Sequence, residues 1–457
     1  MVRRKSSITL ITLMFILSGC VSLPARDMSE PVNLEYDYKT QIDADIAPDI
    51  KWWELYNDEE LGALMTQAFT NNPNINQIRA RLEQSSAIFN QSRAALLPNL
   101  NIAASHDEYR GDTILKSGFS LNGAASFEID LWGKNKARAE SNALNVMANI
   151  ADIAAAKITL SAAITENWLE ILSLLEQEKI TQKQIEINHT VLKLQKKRFE
   201  MGAASALDIL QQEELLAKSE AELPDILSKQ GQVANNISRL IGSSPYDKLK
   251  ISDKDFPKAL PIPSAGLPSD LLNNRPDIIA AWLRLKSSDW AVKSAHANRL
   301  PSFTLSPTYS TSSIALNGLF NTWVANMAVG LASPIFDGGS KKAEQLKQQA
   351  LSDEKYHKYR EIVLNAVIEV ENSLIANIYQ DKKLAALEKQ MIASKNTLEQ
   401  AQMSYINGKI SYINVLSSLF NTQFLEKQIT SEKLKQAYLR IELYRALGGQ
   451  NWAKIYE

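Results

Sequence analysis

Two hydrophobic periods alternate along the chain, and the alternation occurs twice. Residues 73–98 place Ile75, Ile78, Leu82 and Phe89 on one face at helical spacing. Pro73 suits a first-turn position and Pro98 ends the helix. The period then shortens to two. Phe119, Leu121, Ala125, Phe127, Ile129 and Leu131 alternate with Ser120, Asn122, Ser126, Glu128 and Asp130, giving a strand with one apolar and one polar face. Residues 100–109 form a less regular partner, joined to it by the polar loop Arg110-Gly111-Asp112. The same switch follows Pro301. Phe303, Leu305 and Tyr309 mark one strand, Trp323, Ala325, Met327, Val329 and Leu331 another, and a Ser/Thr/Asn-rich loop separates them.

After each pair of strands the helical period returns and persists. Neither proline nor glycine interrupts Lys134 to Met201, or Ser340 to Asn407. At 1.5 Å per residue each such helix is about 100 Å long. Leu160, Ile164, Trp168, Ile171 and Leu175 make an apolar stripe, as do Val363, Val367, Val370 and Leu374. Helices this long need a partner to cover the stripe. Gly202 and Gly408 fit the left-handed position that ends a helix. Ser205 and Ser411 follow as caps of a return helix, and Ser205-x-x-Asp208 is a capping-box pattern. The return helices run to Gly242 and Gly448, with a kink or break expected at Pro224.

This is one plan used twice. Aligned from Asn71 and Asn274, the blocks ending at Pro98 and Pro301 share Asn, Pro, Ile, Arg, Leu, Ser, Ala, Leu and Pro at matching positions. Downstream, Leu131-Trp132-Gly133-Lys134 aligns with Phe336-Asp337-Gly338-Gly339, Phe199-Glu200-Met201-Gly202 with Tyr405-Ile406-Asn407-Gly408, and Arg239-Leu240-Ile241-Gly242 with Arg445-Ala446-Leu447-Gly448. The chain therefore divides into residues 1–19, a signal peptide; 20–60, a tether; 61–242, the first repeat; 243–274, a proline-rich linker; 275–448, the second repeat; and 449–457, a tail. In the first repeat the strands lie at about 100–131 and the helices at 134–201 and 205–241. In the second the strands lie at about 302–336 and the helices at 340–407 and 411–447. Trp52-Trp53 reads as an anchor holding the tether to a helical body.

Composition narrows the class. Only 17 Gly and 15 Pro in 457 residues favour a mainly α fold with a small β part. With 50 basic and 51 acidic residues the chain has no charge excess for nucleic acid. A single cysteine excludes an internal disulfide framework. Arg3, Arg4 and Lys5 precede an apolar run from Ile8 to Leu17, too short to span a bilayer. The run ends in Leu17-Ser18-Gly19-Cys20, which resembles the lipobox of bacterial lipoproteins. That resemblance implies cleavage before Cys20, diacylglycerol on its thiol and a fatty acyl group on its amine. Val21 in the next position implies sorting to the outer membrane.

Four strands cannot close a membrane barrel, whose smallest size is about eight. An open sheet edge is not tolerated in hydrocarbon, so strands meeting lipid require several chains. The two repeats of helix, strand pair and helix pair, the Leu-Pro before each first strand, Asp130-Leu131-Trp132-Gly133-Lys134, Pro334-Ile335-Phe336-Asp337-Gly338-Gly339 and Trp52-Trp53 resemble the TolC-type outer-membrane efflux channels, in their lipoprotein branch. This resemblance covers essentially all of the mature chain. It implies a homotrimer with a twelve-stranded transmembrane β-barrel and a trimeric α-barrel extending into the periplasm. A periplasmic adaptor and an inner-membrane pump of the resistance-nodulation-division class would be its partners, and small molecules its cargo. The adaptor-contact candidates so implied are Met201, Gly202, Ala203, Asn407, Gly408 and Lys409 at the turns. Asp208 matches a position where relatives often carry an acid at the channel entrance; capping is its alternative role. Asn414, its counterpart, departs from the aspartate common in relatives, so an acidic constriction would be weaker here.

No catalytic constellation is visible, and the expectation is a channel rather than an enzyme. His106, His189, His296 and His357 are scattered without ligand spacing, and no metal or other cofactor is implied. Gly338-Gly339-Ser340-Lys341 lacks the full pattern of a phosphate loop. Two other functions compete: a channel for protein secretion, and a coiled-coil lipoprotein that scaffolds the envelope. Strands with a lipid-facing side argue against the scaffold.

Overall fold

The computed structural model describes residues 34, 35, 37–41, 49, 51–110, 115–245 and 251–449, without the side chains of 109, 110, 115 and 116. The signal segment, the Cys20 lipobox, Val21, the Gly111-Asp112 loop and residues 450–457 lie outside the described residues. A 3-10 helix at Trp52–Tyr56 leads into α1 (Glu59–Asn71) and α2 (Pro73–Ala94). The strands β1 (Asn99–Arg110) and β2 (Leu115–Ile129) precede the long helix α3 (Lys134–Glu200) and its return helix α4 (Ala206–Leu240). The short α5 (Leu271–Asn274) opens the second copy. It continues with α6 (Pro276–Ala297), β3 (Ser302–Ser313), β4 (Val324–Ala332), α7 (Ser340–Ile406) and α8 (Tyr412–Leu447). The fold is mainly helical with one four-stranded sheet.

Three expectations are corrected. The tether boundary at residue 60 falls inside α1, whose first turn is capped by Asp58 through Glu60 N and Leu61 N, both at 3.0 Å. Pro224 lies inside α4 and the helix continues through it. The strands stop earlier than the alternating pattern: β2 at Ile129 rather than Leu131, and β4 at Ala332 rather than residue 336. The cause is an aspartate after each strand. Asp130 accepts from Asn135 N (3.1 Å) and Lys136 N (2.8 Å), and Asp337 from Gly339 N (2.9 Å) and Lys341 N (3.0 Å). Each carboxylate satisfies orphan amides at the start of a helix, so the chain must leave the strand to make the cap. The two helices begin after Gly133 and Gly339, which shifts the alignment of this segment by one residue.

The chain forms two compact units that cut across both repeats. Among the described residues, one lies within 80–151 and 278–362, the other within 34–79, 152–277 and 363–449. The first contains the sheet, an antiparallel meander in the order β1-β2-β3-β4. Its register aligns Phe127, Leu305 and Val329 in one row, and Ile129, Phe303 and Leu331 in another. The alternate rows carry Glu128 with Thr304, Asn122 with Ser310, and Thr308 with Asn326. Ser105 and Ser120 touch through their hydroxyls at 2.8 Å. Period-two alternation thus becomes an apolar and a polar side shared by all strands. Met327, Val329 and Leu331 are exposed. Tyr309 and Trp323 stack at 4.4 Å, with Phe320 5.9 Å from Trp323. Below the strands, Trp132 Nε1 donates to Pro301 O (2.6 Å), tying the end of one strand pair to the start of the other. The outer edges of β1 and β4 pair with no strand among the described residues.

The second unit holds an apolar core. Ile164, Trp168, Leu169 and Leu172 of α3 meet Ile237 of α4 and Ile441 of α8. Trp52 and Trp53 are buried there; Trp52 stacks on Tyr444 (5.8 Å) and Trp53 meets Phe69 edge-on (5.7 Å). Both return helices end in this unit in the same way. Gly242 and Gly448 adopt φ of 71° and 79°. A Cβ at Gly242 would lie 2.4 Å from Asn71 O, and one at Gly448 2.6 Å from Asn274 O. The next residue of each block closes the helix: Asn72 Nδ2 donates to Leu240 O and Arg275 Nη1 to Ala446 O, both at 2.8 Å.

Gly242→Ala and Gly448→Ala are therefore each expected to cost about 2–3 kcal/mol, through a strained φ and a backbone clash. Gly231→Ala, inside α4 with nothing within 4 Å of the new methyl, should instead stabilise by about 0.5–1 kcal/mol. Thermal unfolding of the purified proteins checks the opposite signs.

Candidate functional site

The two long helices end alike. Gly202 and Gly408 take φ of 72° and 68°. Gly202 N donates to Phe199 O (2.9 Å) and Ala203 N to Arg198 O (2.7 Å). Gly408 N donates to Tyr405 O (2.9 Å) and Lys409 N to Ser404 O (2.9 Å). Both are Schellman closures, which need a left-handed residue and so favour glycine. The six turn candidates Met201, Gly202, Ala203, Asn407, Gly408 and Lys409 are all exposed. Apolar side chains crowd around them: Met201 is 73% exposed, Leu207 62% and Ile406 72%.

The structure brings the two turns together. Arg198 lies 4.7 Å over the Tyr405 ring, and Tyr405 OH donates to Gln195 Oε1 (3.2 Å). Deeper in the same bundle, Tyr412 OH donates to Gln212 Oε1 (2.5 Å) and Gln212 Nε2 to Asn188 O (2.9 Å). Asn188 Nδ2 donates to Ser219 Oγ (2.8 Å), Gln423 Nε2 to Asn188 Oδ1 (3.1 Å) and Gln184 Nε2 to Gln423 O (3.1 Å). Lys427 also pairs with Glu222. Gln184, Asn188, Gln195 and Gln212 are at most 2% exposed. Buried amides linked in this way fix one helix register, because slippage would strand several donors together. The sequence reading missed this ladder. Its signal was present: Thr181, Gln184, Asn188, Leu192 and Gln195 continue the buried stripe of α3 at the same spacing, with polar residues in apolar places.

Asp208 and Asn414 are not equivalent in geometry. Asp208 closes a capping box: its N donates to Ser205 Oγ (3.2 Å), while Ser205 N donates to Asp208 Oδ2 (2.9 Å). Asn414 Nδ2 turns back on Ser411 O (3.3 Å) and Ser411 Oγ (3.1 Å), and Ser411 caps no amide with its hydroxyl. Asp208 contributes to pushing the Tyr412 hydroxyl upward, after the larger effects of burial and Tyr405. Further along α3, Glu166 sits half-buried near Glu442 and Glu170. Burial, then Glu442, pushes its carboxyl up to about 7, with Arg445 acting in opposition.

Comparison with known proteins follows this geometry closely. The family described as outer membrane efflux protein matches residues 64–243 and 267–449, one stretch per repeat. The pyoverdine export outer membrane protein OpmQ of Pseudomonas aeruginosa is 28% identical, over 97% of this chain and 96% of its own. The probable outer membrane lipoprotein SilC of Salmonella typhimurium is 25% identical, over 96% of this chain and 97% of its own. The open state of the MtrE outer membrane channel of Neisseria gonorrhoeae superposes with a TM-score of 0.85 at 24% identity, covering 94% of this chain and 98% of that one.

The chain belongs to the outer membrane efflux protein family. It is an outer-membrane channel of an efflux system, and the four-stranded sheet and long helical hairpins are this family's fold.

Two outcomes are expected. Asp208→Asn should weaken block by multivalent cations in planar-bilayer conductance, whereas Ser205→Ala, which removes only the hydroxyl of the cap, should leave block intact at a stability cost of about 1 kcal/mol. Glu166 binds a proton more readily folded than unfolded, so stability falls as pH rises from about 4.5 to about 7 and is level above it. Glu166→Gln should remove that slope and raise the melting temperature at pH 8; melting curves from pH 5 to 8 check it.

Proposed function

We propose that this chain works as a lipid-anchored homotrimer, a passive conduit for small molecules delivered by a periplasmic adaptor and an inner-membrane pump. The observation that carries this reading is the sheet of one apolar and one polar side, with its two outer edges unpaired. In hydrocarbon such edges must be closed by other chains. Three copies supply twelve strands, within the range of membrane barrels. Strands of 12, 15, 12 and 9 residues are long enough to cross the bilayer at a tilt. Tyr309, Phe320 and Trp323 cluster beside one another as aromatic residues do at a membrane interface.

The exposed turns with their apolar surroundings support adaptor contact at Met201, Gly202, Ala203, Asn407, Gly408 and Lys409. Asp208, in three copies around an axis, would raise the cost of anion passage at the entrance. Asn414 adds no charge, so the acidic ring is built from one repeat. The lipid on Cys20, diacylglycerol with a fatty acyl group, would hold the chain to the outer membrane; the name of SilC as a probable outer membrane lipoprotein supports this. OpmQ is named for pyoverdine export, which favours an exported small molecule over a scaffold. Transport here needs no bond making: the conduit confines a cargo that the pump has already moved.

Deletion of the gene should make cells hypersensitive to dyes, antibiotics, bile salts or metal salts, with complementation by the intact gene. Loss of a single secreted protein with unchanged sensitivity would favour the secretion channel instead. Unheated outer-membrane fractions should show a band at three times the monomer mass; a monomer there would overturn the trimer. Cys20→Ala should abolish labelling by radioactive palmitate.

A further inference from the structure

Charge is uneven between the two ends of the sheet. At one end the strands begin or stop side by side, at Asn99, Ile129, Ser302 and Ala332. The ten residues beyond each of these points are 89–98, 130–139, 292–301 and 333–342. They hold eight of the 50 basic residues of the chain and only two of the 51 acidic ones. Both acids, Asp130 and Asp337, are engaged by the helix amides they cap. The segments beyond the other end, 111–114 and 314–323, carry a single charge, Asp112.

The basic side chains lie open. Arg93, Lys136, Arg138, Arg299 and Lys342 are all exposed. Lys134 pairs with Glu128 (2.5 Å), and Arg299 donates to the neutral amide of Gln345 (2.6 Å). Lys136, Arg138 and Lys342 have no acid partner among the described residues. Helix electrostatics does not account for them. Lys136 and Lys342 stand in the first turns of α3 and α7, where the dipole favours acids, and neither turn has one. Lys134 and Lys341 each follow a capping aspartate by four residues, so both repeats bring cations to this place.

The same band is apolar as well. Leu97 is 65% exposed, Leu131 55%, Ile335 99% and Phe336 91%, and they continue the bare apolar side of β4. Cations on long stems beside apolar side chains suit the boundary between hydrocarbon and water, where the stem is covered and the charge stays wet. Phosphodiester headgroups supply anionic oxygens at that depth, and arginine and lysine donate to them. Covering the band with the same band of another copy would set cation against cation. We propose that this end of the sheet binds the headgroups of anionic phospholipids in the periplasmic leaflet, through Lys136, Arg138 and Lys342. The site rests on the channel reading, which places the sheet in the bilayer.

The test is electron spin resonance of the full-length protein in phosphatidylcholine vesicles, with spin-labelled phosphatidylglycerol or phosphatidylcholine added as the probe. The fraction of probe held at the protein surface gives the relative association constant. Wild type should prefer phosphatidylglycerol by about threefold or more, and about 0.5 M sodium chloride should reduce the preference. Lys136→Gln/Arg138→Gln/Lys342→Gln, which alters only exposed side chains, should bring the preference close to one without changing the amount of lipid held. Lys193→Gln/Lys197→Gln/Lys395→Gln, three exposed lysines outside this unit, should keep it. Lipid held without headgroup preference, or a preference that survives the first triple variant, would overturn the site and leave the channel reading standing. Equal loss in both triple variants would assign the preference to overall charge and also overturn the site. No lipid held at all would overturn both readings.

Discussion

A peptide group in hydrocarbon has no water to pair with, and that constraint governs this molecule. The meander β1-β2-β3-β4 satisfies its interior ladders and leaves two rows of amides and carbonyls at its borders. No strand pairs with those rows among the described residues, so in hydrocarbon they call for partners from outside this sheet. Strand alternation follows from this. The side carrying Phe127, Leu305 and Val329 suits lipid, and the side carrying Asn122, Ser310 and Asn326 suits an aqueous interior.

The two repeats solve one local problem with different chemistry. Each return helix ends at a glycine that lies against the carbonyl of an asparagine, Asn71 or Asn274. The residue after that asparagine then satisfies a carbonyl in the last turn. In the first copy this is a neutral amide, Asn72. In the second it is Arg275, whose guanidinium also pairs with Asp277 (2.8 Å) and Glu369 (2.7 Å), while Arg445 joins Glu369 (2.7 Å). The backbone geometry is common to both copies and the charge belongs to one. The same division recurs at the turns, where Schellman closures are shared but only Ser205 and Asp208 make a capping box.

Much of the fold was legible because its signals are backbone signals. The change of period at Pro98 and Pro301 located the strands, and Gly202 and Gly408 located the turns, since few residues tolerate a left-handed φ. Strand ends were less legible. The alternating pattern runs on through Leu131, and the second pair of strands was expected to reach about residue 336, but Asp130 and Asp337 reach forward to helix amides beyond each strand end. Pro224 pointed to a kink or break, and the helix continues through it. Of the candidate site, the turn residues could be named from spacing. The ladder of Gln184, Asn188, Gln212 and Gln423 left one sign, polar residues at apolar positions of the α3 stripe, but its partners lie on helices far apart in sequence and spacing alone does not pair them.

The central pairing of the sheet joins β2 to β3, one strand from each repeat, with Phe127 opposite Leu305. The whole of α3, α4, the linker and α6 lies between those partners in the chain. Contacts of such separation form late, because a long loop must close before they contribute, whereas helical hairpins assemble from neighbours in sequence. The sheet is therefore one unit only when both repeats are present, and neither half of the chain can present the four-stranded surface alone.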